Sequence, residues 1–178
     1  KQAGEALGET HPDKEIGYYV LGTVFFNNEE YDIAQKYYLD AIARDSSSFI
    51  TWYQLVFTDV ELNDSDNLFQ HTNSAMRYYP EQPIFYYFNG LALIDKKKYE
   101  EAVKVLEKGR FMSADKKLTA SFDTAIADIY HELGNKEKAY QYYDRVLRND
   151  PENVYVLNNY AYFLSLDNER LDDALKMS

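Results

Sequence analysis

Three ladders of side chains recur at one interval in this chain. Ile16, Ile50 and Ile84 are 34 residues apart, and so are Tyr18, Trp52 and Tyr86, and Tyr19, Tyr53 and Tyr87. A fixed period of this length marks a stacked-repeat architecture: one repeat cannot bury its apolar face alone, so a neighbour must cover it. With Glu15, Phe49 and Pro83 as first positions, the fourth repeat begins at Ala120 and the fifth at Val154, at successive intervals of 34, 34, 37 and 34.

Each repeat reads as two amphipathic helices and a short turn. Tyr18, Leu21, Gly22 and Phe25 in repeat one, Ile126, Ala127 and Tyr130 in repeat four, and Leu157, Tyr160, Ala161 and Leu164 in repeat five have the three- and four-residue spacing of a buried helical stripe. Second helices carry Ala34, Tyr38 and Ala41, then Ala102, Leu106 and Gly109, then Ala139, Tyr143 and Val146. Small residues fall where two helix axes must come close. Gly134-Asn135 reads as a helix end, Asp150-Pro151 as a helix start, and Pro80 and Pro83 as the separators of repeats two and three. The chain has only 7 Gly and 4 Pro against 29 aromatic residues, which favours long helices over many short strands.

Repeats that carry an aromatic at position four, Gly or Ala at eight, an aromatic at eleven, Ala at twenty, an aromatic at twenty-four, Ala at twenty-seven and Pro at thirty-two resemble the tetratricopeptide repeat. Repeat one matches through Gly22, Ala34, Tyr38 and Ala41, and repeat two through Trp52, Ala75 and Pro80. Repeat three matches through Tyr86, Gly90 and Ala102, repeat four through Ala127, Tyr130, Ala139, Tyr143 and Pro151, and repeat five through Asn158 to Tyr162. The resemblance implies an all-α, right-handed α-solenoid of antiparallel helix pairs. It spans residues 15–178 as one domain, with repeats 15–48, 49–82, 83–119, 120–153 and a truncated 154–178. Residues 1–14 read as the tail of an earlier repeat or a linker, and Leu171 to Ser178 opens a second helix with no polar cap after it, so a longer natural chain is expected. Val56 and Leu68 replace small residues and predict a looser pair in repeat two. Three extra residues before Ala120 are expected as a loop near Ser113 to Lys116, and one more near Asp167 to Arg170.

Composition excludes several classes of function. The net charge of −11 has the wrong sign for a general nucleic-acid binder, and no apolar run reaches the length of a membrane span. With no cysteine there is neither a thiolate nucleophile nor a Cys-ligated metal. His11, His71 and His131 form no metal motif, and read as solvated or groove-facing imidazoles. Glu29-Glu30, Glu100-Glu101 and Asp172-Asp173 fall at turns and first helical turns, where they favour the helix dipole. Phosphate loops, nucleophile elbows and dinucleotide fingerprints are missing too. The reading is therefore a protein that is not an enzyme and uses no cofactor or metal, with export and cytoplasm both open as locations.

What remains is a surface. If positions four, seven, eight and eleven of each first helix face the core, then two, six, nine and thirteen point away, with five and twelve on the flanks. In tetratricopeptide arrays this face lines a concave groove for peptides. In repeats one to three these positions are aromatic and apolar, among them Tyr19, Tyr53, Phe57, Ile84, Tyr87, Phe88 and Leu91; in repeat four they include Asp128 and His131. Tyr18, Trp52, Tyr86, Tyr38 and Tyr143 are read as core. Glu61 and Asp95 flank the aromatic positions, no Lys or Arg does, and residues 1–89 hold 5 basic against 14 acidic side chains. The expected partner is a protein or peptide segment, neutral or basic with apolar anchors, without nucleic acid or direct membrane insertion. The alternative is a structural spacer or self-association module with no external ligand. Clamp positions for an acidic C-terminus hold Tyr19, Thr23, Gln54, Ile84 and Phe88, none cationic, so no preference for such tails is expected.

Overall fold

The structure is a computed structural model that describes residues 14–166. Among the described residues all regular structure is helical: α1 (Glu15–Asn27), α2 (Tyr31–Arg44), α3 (Phe49–Glu61), α4 (Ser65–Tyr78), α5 (Pro83–Asp95), α6 (Tyr99–Met112), α7 (Lys116–Glu132), α8 (Lys136–Asn149) and α9 (Val154–Leu166). None is long and apolar enough to cross a membrane. The helices gather into two compact units that divide between α5 and α6, after Lys98. The expectations for residues 1–13, including His11, and for residues 167–178 lie outside the described residues.

Among the described residues the turns within repeats one to four are built the same way. Glu29 (φ 61°), Asn63 (φ 51°), Lys97 (φ 56°) and Gly134 (φ 73°) each stand at position fifteen in the left-handed region. The next N–H closes the helix end by donating to the carbonyl five residues back: Glu30 to Phe25 (3.0 Å), Asp64 to Asp59 (3.1 Å), Lys98 to Leu93 (2.9 Å) and Asn135 to Tyr130 (2.8 Å). Of these four turns, the one in repeat four uses the glycine that this conformation favours.

In the first unit α1 pairs with α2 and α3 with α4, while α1 touches α3 and α3 touches α5, so the first helices lie side by side. The core is formed by Tyr38, Trp52, Leu55, Val56, Leu68, Ala75, Phe85 and Ala92. The position-four ladder has a second task beyond filling space. Trp52 Nε1 donates to the Ser46 carbonyl (2.9 Å) and Tyr86 Oη to that of Pro80 (2.9 Å), so each ring ties down the loop six residues before it. Tyr18 departs from the expected core role: it is half-buried, with the Arg44 guanidinium 3.6 Å from its ring centroid and Tyr37 beside it. The looser pair expected in repeat two is present, α3 and α4 meeting more sparsely than α1 and α2.

At Gly22 the backbone of α1 comes close to a side chain of α2. A Cβ there would lie 2.7 Å and 2.8 Å from two ring carbons of Tyr38, which is fully buried. Gly22→Ala gains about 1 kcal/mol in helix propensity but must displace a confined ring, at about 1–3 kcal/mol. The variant is expected to be destabilised on balance by about 1 kcal/mol, read as a lower urea midpoint at unchanged slope.

The second unit stacks α6 on α7, α7 on α8 and α8 on α9 around Leu106, Phe122, Ile126, Ile129, Tyr143, Val146, Val156 and Tyr160. Two expectations are corrected here. The extra residues before Ala120 lengthen a helix rather than a loop: α7 starts at Lys116 and has 17 residues where the other first helices have 13. Asp115 makes this earlier start workable, since its carboxylate accepts the Leu118 N–H at 2.7 Å. Asp150-Pro151 does not start a helix. Asp150 ends α8, and Asn153 caps α9 by accepting the Val156 N–H at 3.1 Å.

Candidate functional site

On the first unit four of the groove positions, Tyr53, Phe57, Tyr87 and Phe88, form one connected aromatic row that Phe49, at position one, joins. Phe49 stacks on Tyr53 (6.1 Å), Tyr53 lies against Phe57 (5.7 Å), Phe57 meets Phe88 edge-on (5.9 Å), and Phe88 adjoins Tyr87 (5.7 Å). The spacing along α3 and α5 produces this, because residues three and four apart share a face and the two helices touch. Tyr19, Tyr53, Phe57, Ile84, Tyr87 and Leu91 are half-buried, and all of them but Tyr53 pack by one side against the core. Phe88 points further inward than its position implies. It is 8% exposed and belongs to the core, held between Phe57 and Tyr87. Ile16 and Ile50, at position two, are more open, at 48% and 45% exposed.

At the C-terminal ends of α3 and α5 the row gives way to carboxylates. Val60, Leu68, Leu91 and Ile94 floor a cleft of about 180 Å³ with Asp64 and Asp95 at its mouth. Asp95 accepts the Ser65 hydroxyl (2.7 Å) and Asp64 the Asn67 N–H (3.0 Å). Glu61 is exposed nearby in sequence.

Beneath this cleft lies a polar cluster that the aromatic pattern hid. Asp59 occupies position eleven, where an aromatic is usual, and is wholly buried. Its Oδ1 accepts from Gln35 Nε2 at 2.7 Å, and its Oδ2 lies 2.7 Å from His71 Nδ1, so one carboxylate joins α2, α3 and α4. His71 is thus neither solvated nor groove-facing. Asn89 and Thr72 form a second buried pair, Nδ2 donating to Oγ1 at 2.8 Å. The departure of Asp59 from the repeat pattern was the available signal.

In the second unit Asp123 stands at position four in place of the aromatic and, 3% exposed, pairs with Arg110 of α6. That pairing raises the guanidinium pKa. Asp128 is half-buried and accepts from the hydroxyls of Tyr143 and Tyr155, the latter at 3.3 Å. Burial raises its pKa, opposed by these hydroxyls and by Asn159. Burial, then the Asp128 charge, also pushes the Tyr143 phenol upward. His131 stacks on Phe163 with ring centroids 3.4 Å apart. Asp128 and His131 therefore both have structural partners inside their own unit.

The buried Tyr38 phenol is pushed up to about 12 by desolvation, opposed by its hydrogen bond to Thr23 (3.3 Å). A raised folded-state value means that the stability is fully present below the unfolded value near 10 and is lost as pH rises through about 12. Stability of the first unit should fall by about 2–3 kcal/mol over that range. Urea denaturation at stepped alkaline pH checks this, and Tyr38→Phe should make the fall smaller, the raised phenols of Tyr31 and Tyr79 still contributing to it.

Two profiles described as tetratricopeptide repeat match the chain, one over residues 17–48, 85–109 and 124–153 and the other over residues 142–176, together more than half its length. The chain belongs to the tetratricopeptide repeat family. A TPR repeat-containing protein of Methanocaldococcus jannaschii, MJ1428, is 24% identical; the match takes in 68% of this chain but only 27% of that protein. Among solved structures, PilF of Pseudomonas aeruginosa is 22% identical over 96% of this chain and 76% of its own, with a TM-score of 0.76. YrrB, described as a TPR protein with an unusual peptide-binding site, is 19% identical over 98% and 88%, with a TM-score of 0.73. MamA is 16% identical over 92% and 87%, with a TM-score of 0.80. At these identities the likeness to solved structures speaks for the shared helical-repeat fold. Tetratricopeptide proteins are in general protein-interaction scaffolds, the character that membership of the family gives this chain.

Proposed function

We propose that the first-helix face of α1, α3 and α5 holds an extended peptide segment of a protein partner, neutral or basic with apolar anchors, and performs no chemistry of its own. The observation that carries this is the aromatic row from Tyr53 through Phe57 to Tyr87. It is half-buried, runs across two adjacent helices, and ends at Glu61, Asp64 and Asp95 without a cation among the groove positions. Apolar patches of this kind on a folded chain mark interaction sites, and the acidic rim favours basic neighbours over acidic ones. A peptide-binding site described for YrrB, a fold neighbour, agrees with this reading. Tyr19, Ile84 and Leu91 extend the same face, with Phe88 supporting it from within.

The probe is a blocked decapeptide alternating lysine with leucine, compared by calorimetry with its glutamate–leucine counterpart. The lysine peptide should bind and weaken with rising salt, while the glutamate peptide should not bind. Phe57→Ala should weaken the lysine peptide by about 1–3 kcal/mol. Phe88→Ala is the poorer test, because it also removes a core side chain. Equal affinity for both peptides, or an unaffected Phe57→Ala variant, would overturn the reading. If neither peptide binds and light scattering shows mass rising with concentration, the self-association role takes its place.

A further inference from the structure

A second cleft opens on the other side of the first unit, between the second helices. It has a volume of about 520 Å³, and none of the groove residues lines it. Ile42 of α2 forms the apolar wall, the stacked pair of Trp52 and Tyr78 (5.5 Å, 28°) forms an aromatic one, and Arg77 of α4 stands at the edge beside Ser46 and Ser74. The walls are fixed in advance. Trp52 is held by its bond to the Ser46 carbonyl, Tyr79 donates to the Ser47 carbonyl, and Asp45 locks the same loop by accepting both the N–H (2.8 Å) and the hydroxyl (2.6 Å) of Ser47.

The charge at this site is unusual for its surroundings. Residues 1–89 are strongly acidic, yet no carboxylate lines the cleft. Among the described residues Arg77 takes part in no ion pair, while Arg44, on the preceding second helix, is engaged by Asp40 and Tyr18. Tyr78 leaves 52% of its surface exposed beside it. An unpaired guanidinium next to an aromatic and aliphatic wall complements a carboxylate adjoining an apolar side chain, since the planar fork takes both carboxylate oxygens at once. The cleft is open, and would cover one side of a ligand only. That suits a polypeptide segment better than a small molecule, which needs most of its surface enclosed.

We propose that the Arg77–Trp52–Tyr78 cleft is a second docking site, separate from the first-helix groove, for a protein segment in which an acidic side chain adjoins an apolar one. Arg77 takes the carboxylate, and the apolar side chain lies against Tyr78, Trp52 and Ile42. The two faces of the unit thus select partners of opposite charge.

Trp52 is the one tryptophan of the chain and reports directly on the cleft. The full chain is titrated with acetyl-Gly-Asp-Leu-Gly-amide, with its Asn counterpart, and with N-acetylaspartate, following tryptophan emission. The Asp peptide should give a saturable change, and the Asn peptide a response weaker by about tenfold or more, as for loss of a charge-assisted contact. R77Q, which alters an exposed side chain, should reduce the Asp response to the Asn level with an unchanged circular dichroism spectrum, and R77K should fall between. Should R77Q alter the spectrum, R77K carries the comparison. Equal responses to the Asp and Asn peptides, a response that survives loss of the guanidinium, or none at millimolar peptide would overturn the proposal. N-acetylaspartate binding as tightly as the peptide would overturn the choice of occupant. Displacement by the lysine–leucine decapeptide would move the response to the groove and likewise overturn it. Persistence in the presence of that peptide is the expected result, and it keeps the fate of this site separate from that of the groove.

Discussion

Trp52→Ala is expected to lower the stability of the first unit by about 3–5 kcal/mol, as for truncation of a large buried aromatic. Three losses add up at this position. The indole is only 5% exposed and belongs to the central core, so its removal leaves a cavity between α3 and its neighbours. Its N–H fixes the Ser46 carbonyl in the α2–α3 loop, and its ring stacks on Tyr78 at 5.5 Å. Trp52→Phe keeps much of the volume but loses the hydrogen bond, and should retain most of the stability. Urea unfolding followed by far-UV circular dichroism separates the two variants. A loss below about 1 kcal/mol for Trp52→Ala would mean that the ladder is not what holds consecutive repeats together in this unit.

The second large effect is expected at Asp59. Asp59→Ala leaves Gln35 Nε2 and His71 Nδ1 without the acceptor they share and opens a gap where α2, α3 and α4 converge. Leaving a buried polar group without its hydrogen-bond partner costs about 1–3 kcal/mol, and two groups lose theirs here. The His71 side chain is 15% exposed and can reach water in part, which places this case toward the lower end. The double variant Asp59→Leu, His71→Leu removes both polar ends and restores apolar volume, so it should recover most of the loss. A double-mutant cycle by urea denaturation measures the coupling. Additive single effects would show that the two side chains do not act as a pair.

The repeat pattern was legible because it rests on spacing. The ladder at Tyr18, Trp52 and Tyr86 and the small residues Gly22, Ala34 and Ala41 follow from what two helices in contact require, and the helices lie where that spacing puts them. The bonds from Trp52 and Tyr86 to the preceding loops were not legible, since spacing says that a ring is inside but not where its polar edge points. Asp59 and Asp123 stand where the pattern asks for aromatics, and their partners Gln35, His71 and Arg110 come from other helices, so local sequence could not supply them. The lengthening of α7 was missed because three extra residues fit a loop or a helix equally well until the Asp115 cap selects the helix. In the candidate groove the aromatic positions were readable. The inward turn of Phe88 was not, because it depends on how Phe57 and Tyr87 pack around it. The Arg77 cleft went unseen for the same reason, as it depends on how side chains of α2, α3 and α4 come together rather than on one ladder of repeat positions.

The groove assignment is tested most directly by amide chemical-shift mapping of the full chain with the lysine–leucine decapeptide. The account predicts perturbations concentrated on α1, α3 and α5, strongest around Tyr53, Phe57, Tyr87 and Leu91, and fading as salt is raised. Shifts confined to α2 and α4, or an identical map from the glutamate–leucine peptide, would contradict it.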